Sequence, residues 1–262
     1  MEKIGIIGVG NMGGAIAKAL SENNYKLNIS NRSEEKLEVF KKYKNTTTTS
    51  SNEEVVNNSK YIILAVKPNM YKNVIDSLKE FITEDKVFIS IAAGFSLEDL
   101  EDMLPERKIV MTMPNTPVMV NEGMSALCPN SLVKEEEIKD IIEIFSSFGR
   151  AAVIEEGHFG AFAGACGCLP AYVYMFIEAA ADAAVLNGMK RNDAYEFISQ
   201  SVLGSAKMVL ETKKHPGELK DMVTSPGGTT IEGVKVLEEN SFRGAVTDAI
   251  DAAVKKGMNM GK

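Results

Sequence analysis

Three glycines at fixed spacing constrain the fold of this chain more than any other feature. An apolar, strand-favouring run ends at Ile7, Gly8-Val9-Gly10-Asn11-Met12-Gly13 follows it, and small helix-favouring residues occupy 14–20. In this order the first glycine permits a tight turn, the second lets the backbone approach a pyrophosphate, and the third lets the helix pack closely on the strand. The motif predicts a dinucleotide site at a helix N-terminus, with an ordinary structural turn as the alternative.

Composition narrows the class of protein. A chain of 262 residues can form one large domain or two modest ones, and its net charge of −7 argues against a nucleic-acid partner. We expect no apolar run long enough to cross a bilayer and no room for a signal peptide before the first strand. The three cysteines give no disulfide framework, so the chain is predicted to be cytoplasmic. Cys166-Gly167-Cys168 could be redox-active or bind metal, but we predict buried small residues.

The end of the second predicted strand, residues 25–31, indicates which dinucleotide is bound. NAD sites have a carboxylate there to hold the ribose hydroxyls, whereas this chain has Asn31-Arg32-Ser33. Arg32 offers a charged fork of donors that suits a 2′-phosphate, so we predict NADPH as the preferred cofactor and NADH as a weaker one. Arg32 as a merely solvated charge is the alternative. Ser33 could also cap a helix that begins at Glu34.

Further strands and helices alternate through residue 156. The predicted strands are 46–50, 61–68, 87–91, 108–113 and 150–154, with helices from 52 and over 135–148. Lys67-Pro68 and Asn115 fall at the carboxyl ends of strands, the edge where open α/β sheets bind ligands. Ala92-Ala93-Gly94 would either leave room for a nicotinamide or simply form a turn. The alternation predicts a doubly wound α/β domain over residues 1–156.

The second half, residues 157–262, is predicted to be an all-helical domain. Candidate helices cover 170–186, 192–213, 228–239 and 242 onward, and we find no strand there. The first of these is apolar nearly all round except for Glu178 and Asp182, and Gly188 would end it. A helix of that kind is buried on most sides, which predicts an intersubunit helical core and an obligate dimer.

A loop rich in glycine and hydroxyl groups, Ser225-Pro226-Gly227-Gly228-Thr229-Thr230, runs into one of these helices. Such a loop presents several N–H donors and suits a carboxylate or phosphate. Alternatively, it is a helix–helix connection in which Thr229 is the cap. The residues alone leave both interpretations open.

Taken together, the motifs resemble those of pyrroline-5-carboxylate reductases, the enzymes that make proline. The resemblance runs in collinear order through Gly8–Gly13, Ala65-Val66-Lys67-Pro68 and Met113-Pro114-Asn115-Thr116-Pro117. Its most specific part is Leu219-Lys220-Asp221-Met222-Val223-Thr224 with the loop that follows it. The resemblance implies a Rossmann-type sheet followed by a helical dimerisation domain, with dimers often assembled as five in a decamer.

The resemblance also implies an activity and a set of site residues. The activity is hydride transfer from NAD(P)H to the ring C=N carbon of 1-pyrroline-5-carboxylate, which gives proline. Substrate contacts would come from Ser225, Gly227, Gly228 and Thr229, with Thr230 beside the ring nitrogen. Cofactor contacts would come from Gly8, Val9, Gly10, Asn11, Met12, Gly13, Asn31, Arg32, Ser33, Asn52, Ala65, Val66, Lys67, Pro68 and Asn115.

Two stretches depart from the family pattern. Gly167-Cys168-Leu169-Pro170 stands where the family usually has Gly-Ser-Gly-Pro, which bears on substrate affinity and accepted ring size. Position 222 is Met where a polar Asn or Gln is common, so a side-chain contact is lost.

Two other functions are alternatives to the reductase. A β-hydroxyacid dehydrogenase needs an acid–base lysine on the helix after the sheet, and residues 157–189 contain none. A non-catalytic NADP sensor leaves the 225–230 loop unexplained. Imine reduction fits the lack of an evident catalytic dyad, because a protonated imine is already electrophilic and needs chiefly positioning. We therefore expect His158 and His215 to be structural.

Overall fold

A computed structural model describes residues 2–258 of the chain, with the backbone alone described at Met258. Two compact units are distinguished by their internal contacts: residues 2–167 with 254–258, and residues 168–253. The predicted division at residue 157 remains a prediction.

The first unit contains one eight-stranded sheet in the order β3-β2-β1-β4-β5-β6-β7-β8. All neighbours run parallel except β6 and β7. The strands are β1 Ile4–Ile7, β2 Leu27–Ser30, β3 Thr46–Thr49, β4 Tyr61–Leu64, β5 Val87–Ser90, β6 Lys108–Pro114, β7 Gly123–Pro129 and β8 Gly149–Val153. The chain order reverses on either side of β1, which creates the crevice where doubly wound sheets bind ligands. The predicted doubly wound α/β fold is confirmed.

Helices cover both faces of this sheet. They are α1 Asn11–Glu22, α2 Asn52–Asn57, α3 Tyr71–Leu78, α4 Leu97–Met103, α5 Glu135–Ser146 and α6 Phe159–Phe162. β1, β4 and β5 are buried at every position, as expected for central strands with apolar runs. Two clusters of buried side chains result, one on each face. Burial of each Ile or Leu side chain stabilises the fold by about 1.5–3 kcal/mol. The two clusters therefore hold the strand ends in place, and the loops that follow start from fixed positions.

Several predicted boundaries in the first unit were wrong. β4 pairs only as far as Leu64, so the loop begins at Ala65, two residues before Lys67-Pro68, and Pro68 opens the short 3₁₀ helix Pro68–Met70. The predicted helix at Glu34 is the 3₁₀ helix Glu34–Phe40, and the Ser33 side chain makes no capping hydrogen bond to it.

The second unit is helical, as predicted. Its helices are α7 Leu169–Leu186, α8 Arg191–Thr212, α9 Pro216–Met222 and α10 Thr229–Glu239, with most of α11 Phe242–Met258. No strand occurs beyond β8 among the residues described. Gly188, with φ of +94°, follows the end of α7 as predicted. The predicted burial of α7 is not met within one chain, because Ala181 is its only buried residue.

One helical run requires a correction about membranes. Glu156–Leu186 forms 31 residues of helix that are long and apolar enough, by length and composition, to cross a bilayer. The sequence prediction of no such run failed because it counted only residues 170–186. A single run of this kind is weak evidence for a membrane span, because core helices of soluble proteins meet the same criteria.

Candidate active site

The first glycine of the motif makes the turn out of β1. Gly8 has φ of +100°, a left-handed conformation that favours glycine, and a Cβ built there would lie 2.9 Å from the carbonyl oxygen of Ala65. At Gly13, a Cβ would overlap the Gly8 carbonyl oxygen and lie 2.6 Å from the Cβ of Ala65. These two glycines let α1 pack directly against the ends of β1 and β4.

Gly10 lies in different surroundings. A Cβ built there meets no atom within 4 Å, so the backbone at the start of α1 faces open space. Gly10 is the N-cap of this 12-residue helix, and no side chain caps it. The first N–H groups of α1 are therefore free to bind an anion with the favourable end of the helix dipole.

The Asn31 amide ties the glycine turn to the end of β2. Its Oδ1 accepts the Val9 N–H at 3.1 Å, and its Nδ2 donates to the Ser33 carbonyl at 2.9 Å. One residue earlier, the Ser30 hydroxyl donates to Asn52 Oδ1 at 2.6 Å. The residue directly after β2 is Asn31 rather than a carboxylate. The position that holds the ribose hydroxyls in NAD sites therefore carries an amide that is hydrogen-bonded to the backbone.

A cavity of about 720 Å³ opens where these elements meet. The predicted cofactor residues that line it are Gly8, Gly10, Asn31, Arg32, Ser33, Asn52, Ala65, Val66 and Lys67. Sequence reasoning missed the residues that complete the lining, which are Ile7, Lys36, Asn69, Met70 and Val74. The spacing of Lys36, three residues after Ser33, was a usable signal because residues three apart share a helix face. The cavity's charged side chains are all cationic.

The remaining predicted cofactor residues lie outside this lining. Val9 and Gly13 are buried in the packing of α1, and Met12 packs against the core cluster on its face of the sheet. Asn11 borders a separate shallow depression with Met119. Pro68 is exposed in the loop after β4.

Asn115 lies at the end of β6 with both ends of its amide engaged. Its Nδ2 donates to the Cys166 carbonyl at 3.2 Å, and its Oδ1 accepts the Met124 N–H at 2.8 Å. Those bonds fix the end of β6 against β7 and the π-helical turn Ala163–Gly167. Its predicted cofactor contact stays a prediction.

A second cavity, of about 420 Å³, adjoins the end of β5. Ala92, Ala93 and Gly94 line it together with apolar side chains such as Met111 and Phe159. Gly94 has φ of +93°, and a Cβ there meets nothing within 4 Å. The stretch therefore forms a turn with an open, small-residue surface, and a nicotinamide there stays a prediction.

Titratable groups near the sheet edge have structural roles. The Tyr71 hydroxyl donates to the Leu64 carbonyl at 2.6 Å, and burial raises its pKa to about 12, so it stays a neutral donor that holds the end of β4. Burial also raises the pKa of the half-buried Cys166 thiol, which disfavours a reactive thiolate. Cys168 is exposed, so the prediction of buried cysteines was wrong there. Residues 2–258 contain no cluster of metal-ligating side chains.

The glycine- and hydroxyl-rich loop lies in the helical unit. Gly227 has φ of +68°, and the Gly228 N–H donates to the Ser225 carbonyl at 3.0 Å. Gly228 is the N-cap of α10, and Thr229 is its first helical residue, so the alternative with Thr229 as cap was wrong. Side chains do not cap this helix, and Ser225, Thr229 and Thr230 are exposed. The loop therefore offers free N–H and O–H donors to an anion.

Neighbouring residues of the loop make structural contacts. His215 Nδ1 accepts the Gly217 N–H at 3.0 Å and so caps α9, as expected for a structural histidine. Met222, at the end of α9, is exposed and accepts a long contact of 3.8 Å from Lys214 Nζ.

Comparison with known proteins gives the relationships of both halves. A family model described as pyrroline-5-carboxylate reductase dimerisation matches residues 156–260, and one described as NADP oxidoreductase, coenzyme F420-dependent, matches residues 3–94. The chain is 46% identical to the pyrroline-5-carboxylate reductase of Escherichia coli (strain K12), with 100% of this chain and 99% of that protein covered.

Solved structures agree with these matches over the full length. The pyrroline-5-carboxylate reductase of Coxiella burnetii has a TM-score of 0.94 at 34% identity and covers 100% of this chain and 99% of its own. A Plasmodium falciparum pyrroline carboxylate reductase with NADP bound has a TM-score of 0.86 at 37% identity, with coverage of 100% and 98%.

Proposed function

The chain belongs to the pyrroline-5-carboxylate reductase family, and we propose from that premise which of its residues perform the family's reaction. It is an NADP-dependent oxidoreductase that reduces 1-pyrroline-5-carboxylate to L-proline, the last step of proline biosynthesis. It acts as a homo-oligomer through its dimerisation domain. We further propose a cytoplasmic enzyme, with residues 1–156 for cofactor and 157–262 for substrate and dimerisation, built as a homodimer or a decamer of five dimers.

The residues of the large cavity fit NADPH. The observation that carries this assignment is the juxtaposition of an uncapped helix N-terminus, open space at Gly10 and a wall with Arg32 but no carboxylate. The α1 N–H groups would hold the pyrophosphate, and Arg32 with Ser33 would hold the 2′-phosphate. When bound, NADPH supplies the hydride that reduces the C=N bond.

The Ser225–Thr230 loop is our candidate for the substrate site. Ser225, Gly227, Gly228 and Thr229 would surround the carboxylate, with exposed hydroxyls and the uncapped N–H groups of the first turn of α10 as donors. Thr230, one residue further on, would hydrogen-bond the ring nitrogen as its charge changes during reduction. Because the protonated imine is already electrophilic, these residues serve by orienting it rather than by exchanging protons through a catalytic dyad.

Steady-state kinetics test this proposal. The purified protein is assayed for oxidation of NADPH or NADH with 1-pyrroline-5-carboxylate, and without it as the control. We expect substrate-dependent turnover, with NADPH giving the higher catalytic efficiency. Tight NADPH binding without turnover would instead support a different imine substrate or the sensor.

A further inference from the structure

We propose that Lys36 is a second cation, beside Arg32, that binds the 2′-phosphate of NADPH and sets the preference over NADH. This inference rests on the assignment of the 720 Å³ cavity to NADPH. Lys36 is not one of the residues that the sequence motifs identified, because it lies three residues beyond the Asn31-Arg32-Ser33 turn. The folded chain places it in the cavity wall.

The backbone brings Lys36 next to the turn that would hold the phosphate. Glu34–Phe40 is a 3₁₀ helix, in which residues three apart lie one above the other on the same face. The Lys36 N–H donates to the Ser33 carbonyl at 3.3 Å, so Lys36 begins one turn above Ser33. A flexible four-carbon side chain at that position reaches the same space as the Ser33 hydroxyl.

The charge of Lys36 is uncompensated. Within residues 2–258, neither Lys36 nor Arg32 makes a side-chain hydrogen bond or ion pair, whereas Lys41 in the same region pairs with Glu38 at 2.5 Å. Arg32, Lys36 and Lys67 are the charged residues of the cavity wall, and no carboxylate lines it. A cavity wall whose charged groups are all positive and unpaired attracts NADPH more strongly than NADH, because the 2′-phosphate gives NADPH the larger negative charge.

The other polar side chain at this corner, Asn31, is neutral and is held by the backbone. Its Oδ1 accepts the Val9 N–H and one Nδ2 hydrogen goes to the Ser33 carbonyl, so it brings no positive charge to the phosphate. Arg32, Ser33 and Lys36 therefore form the recognition set, with Lys36 as the contribution that the motif did not reveal. Charge-assisted hydrogen bonds to phosphate are about twice as strong as neutral ones, so its loss is measurable.

The test compares substitutions at two lysines, one that lines the cavity and one that does not. Lys36→Gln removes the charge, and Lys36→Arg keeps it. Lys42→Gln is the matched control, because both lysines line a neighbouring pocket of about 350 Å³ but only Lys36 also lines the 720 Å³ cavity. Dissociation constants for NADPH and NADH, and for 2′,5′-ADP and 5′-AMP, are measured by titration calorimetry on the full-length protein. Arg32→Ala is measured alongside.

We expect Lys36→Gln to weaken NADPH and 2′,5′-ADP by about tenfold, which is about 1.4 kcal/mol, and NADH and 5′-AMP by less than about twofold. Lys36→Arg should stay within about threefold of wild type for all four ligands, and Lys42→Gln should not change. Equal losses for phosphorylated and unphosphorylated ligands, or no loss, would overturn the role of Lys36.

The outcomes also separate the role of Lys36 from the assignment of the cavity to NADPH. If Arg32→Ala abolishes the preference for NADPH while Lys36→Gln leaves it intact, the cavity assignment stands and the role of Lys36 fails. If the wild-type protein binds NADPH no more tightly than NADH, both are overturned.

Discussion

Thr230 is the second residue of α10, and its side chain is exposed at the start of that helix. If its hydroxyl stabilises the ring nitrogen during hydride transfer, Thr230→Ala should lower kcat/KM by about ten- to a hundredfold, or about 1.4–2.7 kcal/mol. Thr230→Ser should retain most of the activity. Thr212→Ala is the control, because that hydroxyl bonds only to backbone groups near it in the chain, the Met208 carbonyl and the Lys214 N–H. Unchanged kinetics in Thr230→Ala would refute the role.

Two of the three glycines of the motif have separable effects. Gly13→Ala should destabilise the fold by about 1–3 kcal/mol, since the new Cβ overlaps backbone, although alanine normally favours helices. Gly10→Ala should change the free energy of unfolding by less than about 1 kcal/mol, because its Cβ meets no atom, yet weaken NADPH by about tenfold or more. Urea unfolding and NADPH titration distinguish them. Equal stability losses for the two variants would contradict this explanation.

Arg32 is the residue whose role the sequence predicts most specifically. Arg32→Ala should weaken NADPH by about tenfold or more and NADH far less, because only NADPH carries the phosphate that pairs with the guanidinium. Fluorescence titration with the two cofactors measures both losses. Equal losses would mean that Arg32 does not contact the 2′-phosphate.

The same residues explain what sequence could predict of the site. Glycine spacing and the Asn31-Arg32-Ser33 turn are local patterns, and nine predicted residues do meet in one cavity. Lys36 and Met70 join them through the course of a 3₁₀ helix and a loop, which no motif encodes. Asn115 matched a family motif, yet its amide is occupied by backbone groups that only the folded sheet brings near.

At the scale of elements, buried apolar runs identified the strands because parallel strands are enclosed on both faces. Their ends were less predictable: β4 stops at Leu64 although apolar residues continue. The sequence patterns did not reveal α3, α4 and α9, because their seven or eight residues are too few for a helical period to stand out. For α9, Pro216 in the first turn was a usable signal.

A buried ion pair connects strand β6 to helix α5. Lys108 Nζ on β6 lies 2.7 Å from Glu137 Oε1 on α5, and both side chains are at least 85% buried. Lys108→Met should cost about 3 kcal/mol in urea unfolding, because it leaves a buried carboxylate uncompensated. Lys79→Met, at an exposed pair with Asp76, should cost less than about 1 kcal/mol. Similar losses for the two variants would contradict this difference.

The pair also predicts a pH dependence. Burial alone would raise the pKa of Glu137, but hydrogen bonds from Lys108 and the Lys134 backbone outweigh it and lower that pKa. A lowered folded-state pKa contributes stability above the unfolded-state value that is lost as pH falls through the folded value. The stability gap between wild type and Glu137→Gln should therefore be largest near neutral pH and shrink in acid. A gap that widens in acid would contradict this account.

At the scale of the whole molecule, the helical unit leaves large apolar side chains uncovered. On α7, Tyr174, Met175 and Phe176 are 61%, 68% and 46% exposed. Exposed apolar patches of this kind mark interfaces, which fits a dimerisation domain.

We expect light scattering to give a dimer or larger assembly, and Met175→Lys to shift it toward monomer. Met119→Lys, at a similarly exposed methionine in the sheet unit, should leave assembly unchanged. A monodisperse wild-type monomer would contradict the dimer.

Hydride transfer to the ring carbon is the central claim, and isotope transfer tests it most directly. The protein is incubated with 1-pyrroline-5-carboxylate and NADPH deuterated at the transferable position of the nicotinamide, and the product is analysed by mass spectrometry and NMR. We predict proline with one deuterium at C5, formed in step with cofactor oxidation. Cofactor oxidation without labelled proline, or proline without the label, would contradict the account.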